Sequence, residues 1–158
     1  MTSTRNSTAD NSLESGHPYS AHMQQLIQAA KAAGTPYASM LLNEAGDVVV
    51  QNVNTVKQQC DPTAHAEMNT IRQAAAKLGR VNLSGCHLIT TCEPCPMCAA
   101  AAFWSNISKV TFGLSIAGIT AAGHRQIPIK ADDILRHSKA KAEVEGGLLA
   151  DEVRKIFP

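Results

Sequence analysis

Residues 86–114, CHLITTCEPCPMCAAAAFWSNISKVTFGL, decide how the rest of the chain is read. Cys86 to Thr91 is a short apolar and β-branched run of the kind that forms a buried strand. Pro94 to Trp104 is alanine-rich and opens on prolines, which reads as a helix. Val110, Phe112 and Leu114 then alternate along a second strand. Strand, helix, strand predicts two parallel strands joined by a right-handed crossover.

Working outward, Asp61-Pro62-Thr63 is expected to open a helix with Met68, Ile71, Ala75 and Leu78 on one face, ended by Gly79. Before it, Ala38 to Leu42 and Val48 to Val50 flank Asn43, Glu44 and Gly46, a β-hairpin pattern. From Tyr19, the residues Met23, Leu26, Ile27 and Ala30 recur at helical spacing, and Gly34 and Pro36 supply a stop. Past Gly123 the expected elements are a short helix at Ala131 to His137, an edge strand at Ala142 to Glu145, and a closing helix from Gly147 to Ile156 with Leu149, Val153 and Ile156 inward. The sum is an α/β fold, a three-layer α/β/α sandwich around a mixed central sheet.

The chain has 158 residues, which suits one domain. Residues 1–18 are rich in Ser, Thr and Asn and are expected to be a disordered tail, with a single domain from 19 to 158. They carry neither the apolar stretch of a secretory signal nor the acid-poor bias of a transit peptide, so a cytoplasmic location is expected. Charged residues are 17% of the chain, and no apolar run reaches the roughly 20 residues of a membrane span. A formal charge of +1 lacks the basic footprint of a dedicated nucleic-acid binder and favours a small-molecule partner.

Five cysteines is an odd number, and Cys92, Cys95 and Cys98 fall within seven residues, a layout for a metal rather than for disulfides. Cys95 and Cys98 stand three apart at a helix start and so share a face. His65, at the start of another helix, can add an imidazole, giving three protein ligands and a fourth position for water, as in a catalytic zinc site. Glu67 lies two residues from His65 and is placed to accept a proton from the attacking water. His65-Ala66-Glu67 followed by Pro94-Cys95-Pro96-Met97-Cys98 is the H-x-E and P-C-x-x-C pattern of zinc deaminases.

Cys92 keeps other readings open. It forms its own C-x-x-C with Cys95, so it is a candidate fourth ligand of a structural zinc module or one half of a redox pair. The expectation is a packed thiol, because Cys92 ends a strand whereas the other two belong to a helix. His17, His22, His87 and His137 have no partner pattern and are read as surface or core residues.

These stretches resemble the cytidine deaminase-like superfamily, in the branch of guanine deaminase, fungal cytosine deaminase and the tRNA adenosine deaminases. The likeness covers most of residues 36–115. Asp61-Pro62-Thr63-Ala64-His65-Ala66-Glu67, Thr91-Cys92-Glu93-Pro94-Cys95-Pro96-Met97-Cys98 and Phe103-Trp104 look especially like guanine and guanosine deaminases. The resemblance implies zinc as the cofactor, a homodimer, and hydrolytic deamination of a nucleobase, nucleoside or related aminated heterocycle. It further implies that Asn54 hydrogen-bonds the substrate ring and that Trp104 lines the base pocket. The plainer alternatives are an asparagine bonding its own loop and a tryptophan packed in the core. Two other functions stay open: a tRNA adenosine deaminase, which the near-neutral charge disfavours, and a non-catalytic structural zinc protein, which the intact Glu67 disfavours.

The chain departs from the pattern after its fourth strand. Where guanine deaminases carry Gly-Phe-Asp-Asp, it has Gly123-His124-Arg125-Gln126, so the acid expected to recognise guanine's N–H donors is missing. Arg125 is either a solvated surface arginine or a donor suited to a substrate that bears acceptors. Guanine is therefore expected to be a poor substrate.

Overall fold

A computed structural model describes residues 16–139 and 141–158 of the chain. Helix α1 (Ser20–Ala33) is followed by the strands β1 (Ala38–Leu42) and β2 (Val48–Val53) and by two helices, α2 (Val56–Gln59) and α3 (Ala66–Leu78). Then come β3 (His87–Cys92), α4 (Pro96–Trp104), β4 (Lys109–Leu114), α5 (Ile116–Ala121), α6 (Ala131–Leu135), β5 (Glu143–Glu145) and α7 (Ala150–Arg154). The sheet order is β2-β1-β3-β4-β5. β1 is antiparallel to both β2 and β3, whereas β4 is parallel to β3 and β5 parallel to β4. The expected mixed sheet and parallel crossover are both present.

Two apolar clusters make the layers. On one face Met23, Leu26, Ile27 and Ala30 of α1 and Val153 of α7 pack with Met40 and Ile89 of the sheet. On the other, Ile71 and Ala74 of α3, Ala99 and Ala102 of α4 and Leu135 of α6 pack with Leu41, Leu88 and Val110. β1 and β3 are buried along their whole length, which is why they read as apolar runs rather than as alternating strands. Cutting the fully buried Leu88 back to Ala is a cavity mutation of about 2–5 kcal/mol.

α3 starts later than expected and buries a different face. Asp61 does not cap it: its Oδ1 accepts from Thr63 N at 2.8 Å and from Thr63 Oγ1 at 2.7 Å, so the residue closes a turn of its own. His65 is the N-cap. The buried residues are Ala66, Glu67, Asn69, Thr70, Ile71 and Ala74, and of the expected stripe only Ile71 belongs to them. The polar members are buried because they have partners: Thr70 Oγ1 donates to Ser39 O at 3.2 Å, and Asn69 Nδ2 to Val53 O at 3.0 Å. An apolar periodicity cannot register a face of this kind. Gly79 ends α3 as expected, at φ 65°, a left-handed conformation that favours glycine.

The short α2 and α5 have no counterpart in the sequence reading, and the closing helix is shorter than 147–156 because Leu149 adopts φ 52° as its N-cap. Of the expected tail, residues 1–15 lie outside the described residues. Gly16 to Pro18 lead into α1, where His17 O accepts from Ser20 N at 3.0 Å and His17 Nε2 lies 3.2 Å from Glu145 Oε1. Among the described residues no helix is long and apolar enough to cross a membrane.

Candidate active site

The first turns of α3 and α4 converge. His65 caps α3 with φ −63° and ψ 154°, Cys95 caps α4 with φ −63° and ψ 166°, and Pro96 follows at the first helical position, where its missing N–H costs nothing. Neither cap residue makes a side-chain cap bond. Their side chains meet each other instead: His65 Nδ1 lies 3.6 Å from Cys95 Sγ and 3.6 Å from Cys98 Sγ. The three donor atoms all fall within 4.8 Å of one another.

That spacing fits zinc. Tetrahedral zinc with ordinary Zn–S and Zn–N bonds holds sulfur and nitrogen about 3.5 Å apart. Two thiols and one imidazole are also the soft and borderline donors that zinc takes, and three of them leave one position open. Protonation suits the same end. Hydrogen bonding from Cys98, with a further one from His65, holds the Cys95 thiol down at about 4 against the effect of burial, so it is a thiolate. Cys98 is pushed up by that hydrogen bond to Cys95 and by burial, and the two sulfurs thus share a proton that a metal ion would displace. The Cys95 bond also raises His65.

Glu67, in the first turn of α3, is 5% exposed. Its Oε1 accepts from Thr90 Oγ1 at 3.4 Å, and its Oε2 accepts from Cys98 Sγ at 3.6 Å. Burial pushes its carboxyl up to about 7; Cys95 adds to the rise and His65 opposes it. A carboxyl poised there can both take and return a proton near neutral pH.

Above the cluster opens a cavity of about 620 Å³, lined in part by Tyr37, Asn54, Glu67, Arg125 and Gln126. Asn54 Oδ1 accepts from Val56 N at 3.1 Å, so the loop-bonding alternative holds for that oxygen, and what Asn54 can offer a ligand is its Nδ2 donor. Tyr37 Oη is 2.7 Å from His124 Nδ1, and burial pushes its phenol well above the ordinary tyrosine range, so it stays neutral.

Trp104 does not line this cavity. It is 78% exposed at the end of α4, edge-on to Phe103 with ring centroids 5.0 Å apart. The reason is helical phase: six residues past Cys98 is a turn and two thirds, which carries the indole to another face and about 9 Å along the axis. Cys92 stands apart from the metal cluster. It is buried in the core on the α1 side of the sheet, with Sγ 3.9 Å from Pro36 O, and it joins no group of metal donors among the described residues.

Sequence reasoning passed over Glu93 as a site residue. It is buried on the cavity wall, and its two oxygens accept backbone N–H groups from Ile116 at 2.8 Å and Ala131 at 2.9 Å. A signal was available: across residues 81–108 Glu93 is the single Asp, Glu, Lys or Arg.

Two thiols and an imidazole at zinc-ligand spacing, a buried carboxyl against them and a cavity above are arranged as zinc-dependent hydrolysis requires. Residues 17–114 match the family described as the cytidine and deoxycytidylate deaminase zinc-binding region, and the chain belongs to that family. It is 34% identical over 129 residues to a tRNA-specific adenosine deaminase of Haemophilus influenzae, covering 81% of this chain and 72% of that one. It is 35% identical over 130 residues to a tRNA(Ile)-lysidine synthase of Deinococcus radiodurans; the match takes in 82% of this chain and 22% of that protein, so the chain spans about a fifth of that relative's length. Its fold superposes on a guanine deaminase of Nitrosomonas europaea with a TM-score of 0.77 and 26% identity, over 92% of this chain and 84% of the other.

Proposed function

We propose that the protein hydrolyses an exocyclic amine from a nucleobase, nucleoside or related aminated heterocycle: water adds at the amine-bearing ring carbon, ammonia leaves, and a ring carbonyl remains. The observation that carries this reading is Glu67, a carboxyl buried against His65, Cys95 and Cys98 and poised near 7. His65 Nδ1, Cys95 Sγ and Cys98 Sγ would hold zinc, which when bound supplies the Lewis acidity that activates water near neutral pH. Glu67 Oε2 takes a proton from the attacking water, delivers it to the ring nitrogen beside the reacting carbon, and carries the second proton to the departing amine. One carboxyl serves both transfers, so no further acid is required.

The wall argues about which ring enters. Arg125 and the Nδ2 of Asn54 are donors, Gln126 brings an amide with a single acceptor oxygen, and the remaining wall carboxylate, Glu93, has both oxygens engaged by backbone amides. Guanine presents two adjacent N–H donors, which a free carboxylate accepts together and a single amide oxygen does not. This favours a substrate with acceptors on the edge away from the amine, such as a carbonyl-rich pyrimidine or triazine, an oxidised purine, or a carboxylated or phosphorylated analogue.

A tRNA adenosine deaminase is the second reading, supported by the similarity to the Haemophilus protein and opposed by a net charge of +1. Ammonia release from the zinc-loaded protein, measured on free bases, nucleosides, aminated triazines, pterins and a tRNA anticodon stem-loop, tests both. Release from small heterocycles supports the first reading, release from the stem-loop alone the second, and release from none sinks the assignment. The resemblance supports a homodimer, as does the exposed Trp104 at the end of a half-buried apolar row of Met97, Ala100 and Ala101 along α4. Sedimentation of the wild type against Trp104→Glu tests it, with the variant expected as monomer.

A further inference from the structure

Glu93 sits two residues ahead of Cys95 and joins three pieces of the fold. Its own N–H donates to Leu114 O at 2.8 Å, at the end of β4. Its Oε2 accepts from Ile116, the first residue of α5, and its Oε1 accepts from Ala131, the first residue of α6. Between those two helices runs segment 122–130, which carries Arg125 and Gln126 onto the cavity wall. One carboxylate, 6% exposed, therefore holds the first residues of both helices that flank that wall, directly at its Ala131 end and through α5 at the other, from the strand end that delivers Cys95.

The segment's other holds lie mostly in its first half: Ala122 N, Gly123 N and His124 N donate to carbonyls of α5, His124 Nδ1 and the Gln126 side chain meet Tyr37, and the His124 ring packs on Phe157. In residues 127–130, Ile129 N donates to Ile127 O within the segment and Lys130 O accepts from Asp133 N. Arg125 and residues 127–130 are exposed. Bonds from N–H groups to a carboxylate are roughly twice as strong as neutral ones. Chemistry also explains why the residue is an acid: two amide donors converge on it, and an amide side chain would offer one oxygen and turn an NH₂ toward the second N–H.

We infer that Glu93 is a positioning residue for the deaminase reaction, setting the distance between the Cys95–Cys98 metal site and the Arg125–Gln126 wall and so fixing how the substrate ring is held. The inference rests on the deaminase reading for its kinetic consequence only; the mechanical link stands on the two hydrogen bonds. Glu93 touches neither the metal donors nor the reacting atoms, so it acts on substrate binding rather than on proton transfer.

The test uses the zinc-loaded protein and two variants. Glu93→Gln removes one acceptor. Ala131→Pro keeps the Glu93 side chain but removes one donor and sets the ring Cδ where the N–H met Oε1, which breaks the link from the other side; proline is accepted at a first helical position, and Lys130, at φ −69° and ψ 147°, already has the extended backbone that a residue before proline requires. Hydrogen exchange of amides 123–130 is expected to accelerate by about tenfold or more in both, with α3 and β1 unchanged. For whichever free base, nucleoside, aminated triazine or pterin of the panel the wild type turns over best, followed by ammonia release, KM should rise about tenfold while kcat per bound zinc stays within about threefold. Wild-type exchange in 123–130, acceleration spread evenly over the chain, or an unchanged KM would overturn the inference. Absence of turnover in the wild type itself condemns the deaminase reading instead, and the exchange pattern then judges the link alone. If Glu93→Gln fails to fold, Ala131→Pro decides.

Discussion

His65 and Cys95 hold the same place in two different helices: each is an N-cap with φ −63° and extended ψ, and neither uses its side chain to cap. Cap positions normally take Ser, Thr, Asp or Asn because their oxygens satisfy first-turn N–H groups. Here that bond is given up and both side chains turn to a shared point, where Cys98 joins them at 3.6 Å from His65 Nδ1. The cluster is therefore made by two helix starts, and its metal should depend on each.

Metal analysis checks this directly. The wild type is expected to bind one zinc per chain, and His65→Ala and Cys95→Ala are each expected to lose it. Cys92→Ala should keep it and lose about 1 kcal/mol of stability, the effect of a small cavity in a packed core. Zinc lost from Cys92→Ala but retained in His65→Ala would mark a structural site.

Glu67→Gln preserves shape and removes the proton acceptor. Turnover is expected to fall by ~100- to 10,000-fold with zinc content unchanged. Activity within about tenfold of wild type would take Glu67 out of the mechanism.

Asn54→Ala is expected to raise KM about tenfold without loss of zinc, since a donor to the ring edge is left out. Its Oδ1 bond to Val56 N predicts some loosening of the α2 loop as well, visible as faster exchange there.

Guanine should rank below the best substrate in the panel by kcat/KM. Arg125→Asp, which exchanges a donor for an acceptor on the wall, is expected to raise guanine turnover by about tenfold or more. Guanine coming out first, or no gain in a folded Arg125→Asp protein, would count against this account of the pocket.

His87 links stability to pH. Burial, with Lys109, His22 and His17 nearby, holds its imidazole down to about 3, while Nε2 pairs with Thr111 Oγ1 at 2.7 Å. The folded value lies below the unfolded one of ~6.5, so the unfolded chain takes up the proton first. The contribution is full above pH ~6.5 and drains away as pH falls toward 3, by up to about 1.4 kcal/mol per pH unit. Urea unfolding at pH 7 and pH 5 should show a smaller acid loss in His87→Gln than in wild type; equal losses would remove His87 as the cause.

The sequence by itself determined the layers, the parallel pair and the three donor residues that the fold brings together. Buried apolar runs such as 87–92 have no other stable place than inside a sheet covered on both faces, and His65, Cys95 and Cys98 carry their chemistry wherever the chain goes. What only the tertiary structure decided is which polar residues go inside and what they face. Asn69 and Thr70 are buried because strands distant in sequence offer them acceptors, so no periodicity along α3 could announce them. Trp104 lost the pocket to helical phase, and Arg125 came to the cavity wall with a segment whose two flanking helices both start on Glu93. Those partners lie 23 and 38 residues away in the chain, and a hydrogen bond between groups so separated exists only once the backbone has brought them together.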